Sequence, residues 1–153
     1  MSFDLLGEID WLAVIIAAVA YFVIGAVWYA PPLFGKAWMA AGGLPDMRQT
    51  GGRPPATIYL VPLIGSVLSA IALGMIALAT GTDTIGEGIV LGLVVGVGFA
   101  LSIAAVTATF ESQKPKPMVW GAINGGYHLV GNLVAAVIVA AMADTSSSQV
   151  LSP

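Results

Sequence analysis

Four long apolar segments, nearly free of charge, constrain this chain more than any other feature of its sequence. A transmembrane helix needs about 20 apolar residues. None of the segments shows the alternation of a barrel strand, and in hydrocarbon only helices and closed barrels pair every backbone group. The sequence therefore predicts an all-α integral membrane protein, a four-helix bundle. Its expected spans are residues 11–30, 57–80, 85–110 and 118–143.

Charge is too scarce for a water-facing surface. The 153 residues include five Lys and Arg and eight Asp and Glu, where a soluble domain of this length carries about 38 charges. The same composition excludes disorder of the whole chain. The absence of cysteine excludes disulfides, thiolate metal sites and cysteine catalysis. The net charge of −3 and the lack of a basic cluster argue against a nucleic-acid partner.

Prolines separate the spans from their connections. Pro31 and Pro32 follow the first span, and Pro117 opens the fourth, because proline stops a preceding helix and is tolerated in a first turn. This organisation predicts three segments outside the bundle, namely a short acidic N-terminus (residues 1–10), a loop (31–56) and a disordered tail (144–153).

All positive charges fall on one side of the predicted bundle. They lie only in the first and third connections, and the positive-inside rule places those connections in the cytoplasm. We therefore expect both termini to be extracytoplasmic in a multi-pass protein of the cell (inner) membrane, with the lipid bilayer as its first partner. The basic residues are Lys36, Arg48, Arg53, Lys114 and Lys116.

The first connection begins with aromatic and apolar residues around one lysine. Such a segment suits the headgroup region, with the lysine reaching toward phosphate. A lid over a binding site is the alternative. The residues concerned are Trp28, Tyr29, Pro31, Phe34, Lys36 and Trp38.

The fourth span carries a polar stripe. Asn124, His128 and Asn132 recur every four residues and so share one helix face. We predict that this face points into the bundle and that His128 contacts Tyr21 of the first span, or Ser66 or Ser69 of the second. The candidate site comprises Asn124, His128, Asn132, Glu111, Tyr21, Ser66 and Ser69.

The stripe has two interpretations. Its members form either a hydrogen-bonded network that holds the bundle together or a site for a solute or a proton, since ionisable groups inside a membrane are costly. One histidine and no cysteine predict no metal site and no cofactor. Glu111 is either solvated or turned inward to meet Asn124.

Three glycines recur at four-residue spacing in the third span. Such spacing lets helix backbones approach closely, either within one bundle or between two copies of the chain. The expected assembly is a homo-oligomer, with a dimer favoured. The packing residues are Gly88, Gly92 and Gly96.

Two stretches resemble a known family. Residues 25–39 (GAVWYAPPLFGKAWM) resemble the end of the first helix and the following loop in the family called domain of unknown function 1761. Residues 123–130 (INGGYHLV), preceded by Phe110 and Glu111, resemble its closing segment. Ala30 departs from the pattern, which has serine there. The resemblance implies a small bacterial four-span membrane protein without an assigned activity. It adds weight to Trp28, Tyr29, Pro31, Phe34, Lys36, Glu111, Tyr127 and His128.

Three functions remain open. The stripe predicts binding or transport of a small solute, not identified, or of a proton. A structural or accessory subunit of a membrane complex is the alternative. An intramembrane enzyme is a third, but one histidine and one terminal carboxylate make a thin catalytic set, so no catalytic residue is predicted.

Overall fold

The computed structural model describes residues 2–45 and 55–150, without the side chains of residues 144–150. These residues form helices and no strand. Four helical segments are long and apolar enough to span a membrane: Trp11–Trp28, Thr57–Thr80, Ile85–Phe110 and Pro117–Ala143. The predicted all-α membrane bundle is confirmed. Its α-helices are α1 (Trp11–Trp28), α2 (Lys36–Gly42), α3 (Thr57–Thr80), α4 (Ile85–Val95), α5 (Ser102–Phe110) and α6 (Pro117–Val150).

Local chemistry sets several helix ends. The Asp10 side chain accepts hydrogen bonds from the first-turn amides of α1, which would otherwise lack partners. Thr84 and Glu87 form a reciprocal cap at the start of α4. Gly81 ends α3 with a φ of +66°, a conformation that favours glycine. Only four residues therefore separate α3 from the third span, and the two helices form a tight hairpin.

The third span is not a uniform α-helix. A π-helical segment, Gly96–Leu101, lies between α4 and α5, and Ser102 donates from its side chain to the carbonyl of Gly98 at 2.7 Å. Such wide turns commonly occur at functional sites. This segment and the start of α5 form one wall of the cleft described below.

Helix α6 is the centre of the bundle. Helices α1 and α3 pack on each other and on α6, whereas the third span packs chiefly on α6. The shared interior of α1, α3 and α6 is built largely from alanines, together with Val14, Val139 and Tyr127, and its largest fully buried side chains are Tyr21 and Leu73. Small residues bring these helices close without the hydrophobic driving force that operates in water.

The glycines of the third span pack within the chain. A Cβ on Gly92 would lie 2.6 Å from Leu133 Cα, and one on Gly88 would lie 2.9 Å from Ala140 Cβ. A Cβ on Gly96 would lie 2.6 Å from a methyl carbon of Leu129. This glycine face is therefore the contact surface between the third span and α6. The alternative that it forms the seam between two copies is wrong.

The last helix continues past the expected end of its span. Its backbone is helical to Val150, whereas the sequence predicted a disordered tail from residue 144. Once a helix is nucleated, each further residue adds a hydrogen bond at little extra cost. Residues 151–153 and the loop residues 46–54, with Arg48 and Arg53, lie outside the described residues.

The first and third connections meet at one end of the bundle. The amide of Lys116 donates to the carbonyl of Ala41 at 3.0 Å. Lys36, Lys114 and Lys116 thus belong to the same end, which we call the basic end. The tight turn at Gly81 lies at the opposite end of α3.

Candidate functional site

Tyr21, His128 and Asn132 form one hydrogen-bonded cluster in the middle of the bundle. The Tyr21 hydroxyl lies 2.9 Å from His128 Nδ1 and 3.3 Å from the His128 carbonyl oxygen. Asn132 Nδ2 donates to the Tyr21 hydroxyl at 3.1 Å and to the His128 carbonyl at 2.7 Å. The predicted contact between His128 and Tyr21 is confirmed. It joins α1 to α6 about 16 Å from the start of α6.

A second cluster surrounds Asn124, one helical turn nearer the basic end. Its side-chain oxygen accepts from the Tyr29 hydroxyl at 2.7 Å and from the Trp38 indole nitrogen at 3.0 Å. Its amide nitrogen is buried, and no group among the described residues accepts a hydrogen bond from it. A buried donor left unpaired costs about 1–3 kcal/mol.

The aromatic loop after α1 folds back over the basic end of α6. Trp28 donates from its indole to the carbonyl of Ile123 at 3.1 Å, and the Trp38 ring lies edge-on to Tyr29. Phe34 stacks on Trp28 with ring centroids 4.6 Å apart, and Lys36 is exposed. The segment thus places Tyr29 and Trp38 on the polar stripe, while Phe34 and Lys36 stay at the surface.

A cleft of about 500 Å³ lies along the polar stripe. Its floor is α6, and its walls come from the third span on one side and from α1 and α3 on the other. Because the third span packs chiefly on α6, the cleft opens sideways, toward the face that meets lipid. Its polar lining residues are Tyr21, Ser69, Thr107, Asn124, His128 and Asn132, and its apolar lining includes Phe99, Ala100, Ile103 and Ala104.

The three stripe residues differ in burial. Asn132 is 5% exposed and Asn124 is partly buried, as predicted for a face that points into the bundle. His128 is exposed, although its Nδ1 is held by Tyr21. The prediction that the whole face is interior is therefore wrong at His128. Its imidazole borders the cleft, because the second and third spans do not close over it.

The structure brings some of the other predicted residues to the site and not others. Ser69 lines the cleft next to Tyr21. Ser66 is buried and donates to the carbonyl of Pro62 in its own helix at 2.8 Å. Glu111 pairs with Lys114 at 3.2 Å. The alternative that Glu111 turns inward to Asn124 is wrong, since its carboxylate pairs with Lys114 and the Asn124 amide nitrogen has no acceptor among the described residues.

An aromatic residue that the polar stripe does not indicate joins the two clusters. Tyr127 is 5% exposed, and its ring lies 4.6 Å from the ring of His128 and 5.4 Å from those of Tyr21 and Tyr29. It points to a different side of α6 from His128, so the stripe cannot reveal it. The only signal for it was the family resemblance.

Glycines of α1 and α6 make room for these rings. A Cβ on Gly131 would overlap the ring of Tyr21, and one on Gly25 would lie 3.0 Å from the ring of Tyr127. The close approach of α1 to α6 therefore depends on glycine opposite each aromatic side chain. Within the described part of the chain, no three His, Asp or Glu side chains lie together as a metal site would require.

Comparison with known proteins gives one match. Residues 12–140 match the family model described as "Protein of unknown function (DUF1761)". The match covers all four spans and both polar clusters. No curated protein and no solved structure matches the chain.

Proposed function

This chain belongs to the DUF1761 family of proteins of unknown function, and we propose that it is a membrane protein that binds a small solute in the cleft beside His128. The observation that carries this proposal is the position of His128, which is held at one ring nitrogen by Tyr21 and lies exposed at the edge of the cleft. Transport of that solute, or of a proton, across the bilayer is the activity that such a site would serve.

Energetics support a binding role for the cleft. Polar groups at mid-membrane are expensive and usually serve a function. A purely structural network would bury its members, as Tyr21 and Asn132 are buried, but His128 lies at an open surface. The cleft volume also falls within the roughly 300–1,000 Å³ that is typical of small-molecule sites.

The proposal is tested by filling the cleft. Ala100→Phe places a ring inside it, because Ala100 lines the cleft, whereas Ala105→Phe makes the same change at an exposed position five residues along. Proteins purified in mild detergent are extracted with organic solvent, and the extracts are compared by mass spectrometry. We expect a small molecule to accompany the native protein and Ala105→Phe, and to fall at least tenfold in Ala100→Phe.

Two results would count against solute binding in the cleft. One is a native protein that retains no small molecule. The other is a solute retained equally by Ala100→Phe and Ala105→Phe, which would place it elsewhere. Matching helical circular dichroism of both variants serves as the folding control.

A structural role in an assembly is the second candidate, favoured by the sparse packing of the third span. In an 18-residue apolar window of that span only 17% is buried, compared with 39% in the corresponding window of the fourth span. We infer that two copies pair through the exposed side of the third span, the side that does not pack on α6. Native mass spectrometry from detergent is expected to give the mass of two 15.6-kDa chains. A single-chain mass at all protein concentrations would refute the pairing.

The orientation proposal places the basic end in the cytoplasm of a cell whose inner membrane holds the protein. It rests on the convergence of Lys36, Lys114 and Lys116 on one end. Because the chain has no cysteine, an engineered cysteine is the only residue of this type that a maleimide can label. In intact cells an impermeant maleimide should label Gly86→Cys, at the opposite end, and should label Gln113→Cys only after permeabilisation. The reverse pattern would invert the orientation.

A further inference from the structure

The hydrogen bonds of Asn124 determine which way its amide faces. An indole N–H can only donate, so the atom 3.0 Å from Trp38 Nε1 must be the amide oxygen. That oxygen also accepts from Tyr29 and thus uses both of its lone-pair positions. The nitrogen then carries two N–H groups that have no acceptor among the described residues. Asn124 therefore offers donors and no free acceptor.

The neighbours of His128 favour one position for its proton. The His128 carbonyl already accepts from Asn132 at 2.7 Å. The single hydroxyl proton of Tyr21 is therefore best used on Nδ1, at 2.9 Å, rather than on that carbonyl, at 3.3 Å. A neutral imidazole that accepts at Nδ1 carries its proton on Nε2. Nε2 makes no hydrogen bond to the described part of the chain, and His128 borders the cleft.

The remainder of the lining excludes charge on the ligand. Among the described residues no Lys, Arg, Asp or Glu lines the cleft, and most of its wall is apolar. A charged head would enter this mid-membrane site without a counter-charge, which is costly. A neutral head that accepts hydrogen bonds would satisfy His128 Nε2 and come within one helical turn of the unpaired Asn124 nitrogen. The sideways opening gives access to such a ligand from the bilayer.

We propose that the ligand is a neutral amphiphile whose carbonyl-type oxygen accepts a hydrogen bond from His128, with its apolar body lying along the third span. This inference rests on the proposed function and adds the chemical class of the solute. The side-chain oxygen of Asn132 accepts no hydrogen bond from the described residues, so a donor on the same head would also find a partner.

The test uses 2-undecanone labelled with ¹³C at its carbonyl, added to the protein in lipid nanodiscs. Undecane is the control without a polar head, and undecylamine is the control with a cationic donor head. We expect a saturable downfield shift of the ketone carbonyl resonance with the native protein and with Ala105→Phe. Undecane and undecylamine should neither displace the ketone nor reverse the shift.

Variants locate the hydrogen bond. His128→Phe, which keeps a ring but loses the donor, should weaken ketone binding roughly tenfold, the upper end of what one neutral hydrogen bond contributes. Ala100→Phe should abolish binding. If His128→Phe unfolds, Tyr21→Phe provides a second test. It removes the hydroxyl that holds Nδ1 of His128, so the imidazole is free to turn and the affinity for the ketone should fall.

Failure of this inference differs from failure of the proposed function. Displacement of the ketone by undecylamine, or ketone binding that is unchanged in both His128→Phe and Tyr21→Phe, would overturn the ligand class. Absence of ketone binding would do the same, even if the co-purified solute still depends on Ala100. The proposed function fails only if that solute does not depend on the cleft.

Discussion

Replacing Gly92 with alanine is expected to cost the folded bundle about 1–3 kcal/mol, the usual penalty for overpacking. The new Cβ would lie 2.6 Å from the Cα of Leu133. Because the obstacle is backbone, no rotamer change can relieve the overlap, and the third span must move away from α6. Because α6 is the main neighbour of the third span, no other helix can compensate for the packing that is lost when the two separate.

Gly98 provides the matched control for this substitution. It lies in the same span, and a Cβ placed on it meets nothing within 4 Å. Gly98→Ala should therefore leave stability unchanged or slightly raised, since alanine is the better helix former. The midpoints of unfolding in mixed SDS and dodecyl maltoside, followed by circular dichroism, give the comparison. Equal midpoints for the two variants would mean that the third span does not pack on α6 through Gly92.

The second large effect is expected at Tyr21, the largest fully buried side chain in the bundle together with Leu73. Tyr21→Ala removes the ring that lies on Gly131 and against Tyr127, and we expect a loss of about 3–5 kcal/mol, as for other buried aromatic truncations. Tyr21→Phe keeps the ring and removes only the hydroxyl. Hydrogen bonds between membrane helices average about 0.6 kcal/mol, so this variant should remain folded.

The two Tyr21 variants distinguish the packing of the ring from the positioning of His128 by the hydroxyl. Tyr21→Phe leaves His128 Nδ1 without its partner, so solute retention should fall although the unfolding midpoint barely changes. The same detergent titration measures stability, and the solvent extract measures the solute. If Tyr21→Phe destabilises the protein as much as Tyr21→Ala, the hydroxyl network holds the bundle together and the structural interpretation of the stripe prevails.

The spans were predictable because their signals are local. Apolar length decides which segments cross the bilayer, and the caps at Asp10 and Thr84 act on amides a few residues away. The contact of Tyr21 with His128 was also predictable, because a polar group at mid-membrane has few alternatives to a partner at similar depth. The depth of each residue in the bilayer follows from the number of residues between it and the end of its helix.

Contacts across the bundle were less predictable. Trp38 reaches Asn124 only because the chain turns at Pro31–Gly35, where Leu33 leaves the helical region with φ −95° and ψ −115°. Glycine spacing in the third span indicates that a backbone comes close, but not which one. Helical periodicity predicts which face of α6 carries His128. The exposure of His128, in contrast, depends on whether the second and third spans meet over it.

The sole histidine allows one direct measurement of the central claim, that His128 is held at Nδ1 by Tyr21 and offers a proton at Nε2 to a ligand in the cleft. ¹⁵N-histidine labelling gives the resonances of one imidazole. We predict one protonated nitrogen, Nε2, whose signal moves when 2-undecanone is added, and one unprotonated nitrogen, Nδ1, whose signal moves only in Tyr21→Phe. An unprotonated Nε2, or a spectrum that the bound ketone leaves unchanged, would contradict the account.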